Sequence, residues 1–150
     1  MSHSYVSNHL HCVFSAKNRM DMITSEIKQR LFPYLTSIAQ KNNMKLLEAN
    51  GTANHVHLLL SLPSTLTLAK GLQLLKGNSS KWVNESFSLS HRFSWQAGYG
   101  GFGVNISIIP DTIQYIRNQE EHHRKISFEE EFVQFLKKHN IEYDERYIWE

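Results

Sequence analysis

The sequence predicts an α+β fold in which an antiparallel sheet carries helices on one face, and three observations lead there. Apolar residues change period along the chain, with short strand-like runs at 5–15, 44–48 and 55–62 separated by stretches at helical spacing. Only the six turn-forming residues 49–54 divide two of those runs, a connection suited to an antiparallel hairpin. The chain has 150 residues, three prolines and seven glycines, with no repeat or low-complexity run, so residues 1–150 read as a single domain. A chain of that length buries about two-thirds of its unfolded surface.

Each element follows from its own residues. Residues 5–15 set Val6, Leu10, Val13 and Phe14 in a strand that the polar Lys17-Asn18-Arg19 ends. From Thr24, Ile27, Leu31, Leu35 and Ile38 recur at helical spacing up to Lys41-Asn42-Asn43, with Pro33 expected to kink or disturb the helix. Residues 44–48 and 55–62 form the hairpin strands, and Pro63-Ser64 ends the second. Leu68, Leu72, Leu75 and Trp82 then define a second helix over residues 65–86. Gly71 and Gly77 weaken it by about 1 kcal/mol each, which close packing would explain.

Residues 93–96 and 102–108 read as short strands around a Gly98-Tyr99-Gly100-Gly101 turn. Pro110-Asp111 opens a third helix, with Asp111 as N-cap and Gln114 at N3, running to about His123. A last helix over residues 128–139 carries Phe132, Phe135 and Leu136, and the tail holds Tyr143, Tyr147 and Trp149. The order β, α, β, β, α, β, α is a split βαβ arrangement of ferredoxin-like (RRM-like) type with C-terminal helical additions. That superfold hosts electron carriers, RNA-binding modules and nucleases, so function must come from the site.

Composition excludes little. A formal net charge of +2 announces no nucleic-acid binder, so any such surface is local. The nine histidines exceed what packing needs. The first twenty residues hold His3, His9, His11, Lys17 and Arg19 without a continuous apolar run, so no signal peptide is expected. No stretch is long enough to span a bilayer. The single cysteine, Cys12, can form no intrachain disulfide, which fits a reducing cytosol.

The chemistry concentrates in His55-Val56-His57, followed directly by Leu58-Leu59-Leu60. Residues i and i+2 of a strand share a face, so both imidazoles can reach one divalent metal. Imidazoles suit zinc or manganese better than magnesium, and a third protein ligand is expected with oxygen ligands and a substrate phosphate completing the shell. On the third helix Tyr115, Gln119 and His122 share a face, while Ile113 and Ile116 lie about 120° around it and can pack. A phenol of pKa about 10 is a poor nucleophile alone. Beside a metal and basic groups it can attack a phosphate and keep the phosphodiester energy in a covalent intermediate, as rejoining DNA requires.

His55-Val56-His57 resembles the histidine-hydrophobe-histidine signature of the HUH endonuclease superfamily. Tyr115-Ile116-Arg117-Asn118-Gln119 resembles the tyrosine-x-x-x-glutamine motif of its single-tyrosine transposases. The intervening Leu75-Lys76-Gly77-Asn78-Ser79-Ser80-Lys81-Trp82 and Trp95-Gln96-Ala97-Gly98-Tyr99-Gly100, and the following Glu120-Glu121-His122-His123-Arg124-Lys125, are similar to that family too, including its REP-associated members. Gly103 and Asn105 stand where small serine-like residues are common.

The resemblance implies a metal-dependent single-strand DNA transposase that recognises a DNA hairpin and cleaves beside it. It implies His55, His57 and Gln119 as ligands of Mg2+ or Mn2+ and Tyr115 as the nucleophile, giving a 5′-phosphotyrosine and a free 3′-hydroxyl. It further implies a homodimer, with the tyrosine helix placed in cis or in trans, working in the bacterial cytosol or nucleoid without a nucleotide cofactor or membrane.

Lys70, Lys76, Lys81 and Arg92 are candidates to line a DNA groove, and Arg117, Arg124 and Lys125 to meet phosphate near the tyrosine. His9-Leu10-His11 repeats the histidine pattern without the leucine run or a motif partner, and reads as structural or DNA-contacting. His122 and His123 read as solvated helix residues outside the metal set. Trp82 reads as core, while Trp95 and Phe102 are candidates for base stacking. The rival class is a catalytically silent ferredoxin-like module binding single-stranded nucleic acid through aromatics on an open sheet face. A histidine-triad nucleotide hydrolase would want a histidine where Leu59 stands.

Overall fold

The computed structural model of the chain describes residues 3–149. Its elements are β1 (His9–Ser15), α1 (Ser25–Lys41), β2 (Lys45–Gly51), β3 (His55–Ser61), α2 (Leu68–Ser86), β4 (Gly100–Gly103), α3 (Ile109–Arg117), α4 (Gln119–His122) and α5 (Phe128–Lys138). The strands form one antiparallel sheet in the order β2-β3-β1-β4, the ferredoxin-like arrangement that the element order predicts. Among the described residues no helix is long and apolar enough to cross a membrane.

The strand period of two divides the sheet into faces with different contents. Cys12 and Phe14 of β1 and Val56, Leu58 and Leu60 of β3 pack with Ile27, Leu31 and Leu35 of α1 and Leu72 and Leu75 of α2. Val13 of β1, paired with His57, looks the other way and joins Phe102, Phe128, Phe132 and Leu136 in a second cluster. The C-terminal additions therefore cover the second face, the one that carries the histidines.

Local chemistry explains the helix bounds. Thr24 caps α1 by accepting from the Ile27 amide at 3.3 Å, and Ser127 caps α5 through the Glu130 amide at 3.1 Å. Pro33 does not break α1, which runs on through it. The proline lies on an exposed face, so the carbonyl it leaves without a donor can turn to water.

The structure moves several predicted boundaries. β1 starts at His9 rather than at residue 5, because its partner β3 ends at Ser61 just before Pro63. β2 extends to Gly51, so residues 52–54 make the turn, and a register shift between Leu46 and Glu48 absorbs one residue. Residues 93–96 contribute a single bridge, Ala16 with Trp95, and form no strand. The predicted strand over residues 102–108 is replaced by β4, which begins inside the glycine run, followed by a 3-10 turn at Ile106–Ile108.

Packing supplies the reason for the misplaced β4. A Cβ on Gly100 would stand 2.9 Å from the Phe102 ring and 3.0 Å from that of Phe132, and one on Gly101 would stand 2.6 Å from Leu68. These glycines admit neighbours and none of the described glycines has a positive φ. Gly71 is likewise a packing glycine, with Met44 Sδ 3.0 Å from its notional Cβ, whereas nothing lies within 4 Å at Gly77.

Gly51 is the tightest case, since a Cβ there would fall 2.1 Å from the His55 carbonyl oxygen. Backbone cannot yield as a side-chain tip does. Gly51→Ala is expected to cost about 3 kcal/mol in urea unfolding by prising open the β2–β3 turn. A change within about 0.5 kcal/mol would show that the turn relaxes freely.

Candidate active site

β3 sets His55 and His57 side by side, ring centroids 5.2 Å apart and both rings fully buried. Each is oriented from behind. His55 Nδ1 lies 2.8 Å from Asn54 Oδ1 and 2.9 Å from Thr52 Oγ1, and His57 Nδ1 lies 2.7 Å from His11 Nε2. His11, 4% exposed, takes the structural role of the two read for it, because it braces His57.

Tyr115 arrives on α3, and β2 holds that helix in place. Asn50 pairs with His57 across the sheet, and its side-chain amide donates to the carbonyls of Ile116 and Arg117 at 3.0 Å each. Buried Ile116 seats the helix, and the Tyr115 ring stands 5.9 Å from the His57 ring in the same chain. The tyrosine hydroxyl donates to Glu131 Oε2 and lies 3.2 Å from His122 Nε2.

The third helix differs from its expected form at both ends. It begins at Ile109, with Pro110 in its first turn, because the 3-10 turn capped by Asn105 feeds straight into it, so Asp111 is no N-cap. It stops at Arg117 because Asn50 takes its last carbonyls, and α4 restarts at Gln119. Gln119 is still delivered, fully buried, with Oε1 3.3 Å from His55 Nε2. His55, His57, Tyr115 and Gln119 thus meet in one place.

Two further residues meet them there. Glu131 of α5, 1% exposed, sets Oε1 2.8 Å from His57 Nε2, 2.9 Å from His123 Nε2 and 3.5 Å from His55 Nε2. His123, expected in solvent, has a side chain only 9% exposed. Donor atoms of His55, His57, His123 and Glu131 all lie within 4.8 Å of one another. In sequence Glu131 reads as one of three acids opening a helix, where carboxylates favour the dipole. The available signal was that it shares the helical face of Phe128 and Phe135.

Electrostatics follow from burial. Desolvation pushes His57 down to about 4, partly opposed by Glu131, and His11 down to about 3, aided by His57. Desolvation lowers His55 as well. Burial alone would raise the Glu131 carboxyl, but N–H groups donated to it by His123, His55 and His57 would hold it far below the ordinary carboxylate range. Tyr115 is pushed up by burial and then by Glu131. A phenol so disfavoured as an anion needs a positive charge nearby to attack, and nitrogen and oxygen donors converging out of solvent fit a divalent cation.

Acid should destabilise the fold. With an unfolded value of 6.5 and a folded value of about 3, His11 takes up a proton only in the unfolded chain as pH falls between the two. In EDTA, urea unfolding should lose about 3 kcal/mol between pH 6.5 and about pH 4 from this group, and His11→Gln should flatten the slope. An unchanged slope would assign the acid sensitivity to other groups.

The basic candidates scatter. Lys76 donates to the carbonyls of Ala97 at 3.3 Å and Gly98 at 2.9 Å, on the sheet face away from the histidines, and partial burial lowers it to about 8. Lys81 and Arg92 are exposed on α2 and the loop beyond it. Arg117 pairs with Glu48 at 2.8 Å and Arg124 with Glu121 at 3.1 Å. Lys125 lines a cleft of about 410 Å³ with Gln114, Tyr115, Asn118 and His122. A second cleft of about 350 Å³, walled by Phe102 and Phe135 and bearing Lys138, reaches Tyr115 from the other side.

The stacking candidates are occupied. Trp95 is 8% exposed, with its indole N–H donating to Ser79 Oγ at 2.9 Å, and Phe102 is 2% exposed against Phe135. Half-buried Trp82 stacks on Tyr34 at 4.4 Å, in keeping with a packing role.

Comparison with known proteins agrees with this picture. The profile of the family described as "Transposase IS200 like" matches residues 4–119. The transposase for insertion sequence element IS200 of Salmonella typhimurium is 29% identical over 128 residues, covering 81% of this chain and 82% of that protein, and its Salmonella typhi counterpart matches equally. Among solved structures, a putative transposase from Deinococcus radiodurans superposes with a TM-score of 0.63 at 25% identity, over 79% of this chain and 96% of that one. A REP-associated tyrosine transposase solved bound to a REP hairpin shares the fold, with a TM-score of 0.61 at 13% identity over 82% and 73% of the two chains. With the family signature spanning the sheet, the histidine pair and the tyrosine helix, this chain belongs to the IS200-like family of transposases, the single-tyrosine branch of the HUH superfamily.

Proposed function

We propose that the protein is a metal-dependent transposase of single-stranded DNA that recognises a hairpin, cleaves beside it and rejoins strands through a 5′-phosphotyrosine. One observation carries the reading: a phenol hydroxyl is held beside a buried histidine pair and a buried glutamine. Hairpin recognition draws on the motif resemblance, and the REP-associated relative solved with a hairpin is in keeping with it.

His55, His57 and Gln119 are the ligands in this reading, and Mg2+ or Mn2+ bound there supplies positive charge to offset what builds on the attacked phosphate. Tyr115 Oη forms a bond to phosphorus while the bond from phosphorus to the 3′ oxygen breaks. The hydroxyl already lies 3.2 Å from a group able to take its proton, His122 Nε2, while Glu131 Oε2 accepts its hydrogen bond and orients it. The freed 3′-hydroxyl can attack another phosphotyrosine, so rejoining needs no nucleotide cofactor. Lys125, Arg124 and Arg117, exposed on α3 and just beyond it, are the nearest candidates for backbone phosphates, with Lys76, Lys81 and Arg92 serving DNA farther away.

Light scattering tests the proposed homodimer. The function itself is tested by incubating the protein with Mn2+ and a library of single-stranded hairpin oligonucleotides. A denaturation-resistant protein–DNA adduct is expected. Hairpin binding without cleavage across the library would favour a silent binding module instead.

A further inference from the structure

We infer that His123 and Glu131, supplied by the chain beyond the family match, complete the metal site, and that Glu131 ties it to the nucleophile by holding the Tyr115 hydroxyl with its other oxygen. The inference rests on the metal-dependent reading above and adds two ligands to it. The family match ends at residue 119, so neither residue belongs to the matched region.

Hydrogen-bond bookkeeping leads there. A neutral imidazole has one N–H and one lone pair. His123 Nδ1 lies 2.9 Å from the Ile126 carbonyl oxygen, which can only accept, so its proton sits on Nδ1. Its Nε2 then turns a lone pair on Glu131 Oε1 at 2.9 Å, and a carboxylate also only accepts. His55 repeats the pattern. In the tautomer whose Nδ1 donates to Asn54 Oδ1, with the Thr52 hydroxyl donating to that same oxygen, its Nε2 lone pair faces Glu131 Oε1 at 3.5 Å and Gln119 Oε1 at 3.3 Å. Gln119 cannot relieve this, because its own N–H group is turned to the Tyr115 carbonyl and Glu131 Oε2, at 3.4 Å each.

Acceptors facing one another away from water repel unless positive charge lies among them. One divalent cation satisfies all of them together. Imidazoles whose far nitrogens donate to fixed acceptors are held in the tautomer that metal ligation needs. His57 can join through Nε2, since its Nδ1 has His11 as partner. Glu131 then has two duties on two atoms: Oε1 faces the three imidazoles, while Oε2 accepts the Tyr115 hydroxyl.

The test uses the full chain without DNA, titrated with Mn2+ and followed by loss of the free-ion EPR signal. Glu131→Gln and His123→Gln should each weaken Mn2+ binding about tenfold or more. Pulsed EPR of the wild-type complex should count three coupled imidazoles, which keeps the test decisive if a variant fails to fold. At saturating Mn2+, adduct formation should recover in His123→Gln and stay about tenfold slow in Glu131→Gln, which has lost its hold on the nucleophile.

Wild-type protein that takes up no Mn2+ would end the metal reading itself. Wild-type uptake with two coupled imidazoles, or with Glu131→Gln binding as tightly or more tightly, would overturn this inference alone, the tighter binding marking Glu131 as a group that merely fills the cation's place.

Discussion

Tyr115→Phe is expected to abolish the proposed covalent adduct, slowing its formation by at least about a thousandfold, and to leave hairpin binding intact. The substitution removes one oxygen. The ring keeps its edge contacts with His11, His57 and Phe135, so α3 stays seated on the histidine face. Glu131 loses a donor but keeps His57 against it, and the cost in stability should stay at about 1 kcal/mol. Denaturing gels on labelled oligonucleotide read the adduct, and filter binding reads affinity. An adduct persisting in Tyr115→Phe would move the nucleophile elsewhere, with Tyr99, Tyr143 and Tyr147 the residues to examine.

His57→Ala is expected to have the second largest effect, because it removes a proposed ligand and a structural link at once. Metal-dependent cleavage should fall by at least about a hundredfold. His11 and Glu131, each bonded to His57, then lose a buried partner, and unfolding free energy should drop by about 3 kcal/mol. Cleavage is therefore measured against Mn2+ concentration at a temperature where circular dichroism reports native protein. Full activity in folded His57→Ala would remove this residue from the ligand set.

Both results concern residues that were legible in the chain, and the reason is periodicity. Strand period two puts His55 and His57 on one face whatever else the chain does, and helical spacing brings Gln119 under Tyr115 even across the break at Asn118. Boundaries were less legible wherever a distant group decides them. Asn50 ends α3 from another strand, and Leu68, Phe102 and Phe132 turn an apparent glycine turn into β4. Trp95 and Phe102, candidate stacking platforms by residue type, became core once α2 and α5 closed over them.

By itself the sequence determined the α+β order, the antiparallel hairpin that carries the histidine pair, and the spacing of tyrosine and glutamine that resembles the single-tyrosine transposases. Those are local properties, set by residue type and spacing within one element. Tertiary structure alone decided that His11 braces His57, that His123 is withdrawn from solvent, and that Glu131, 74 residues from His57, stands among the imidazoles. The physical reason is that an acid at a helix start is cheapest in water. Only the packing of α5 across the sheet, driven by Phe128, Phe132 and Leu136, carries this carboxylate out of solvent and onto the groups that compensate its burial.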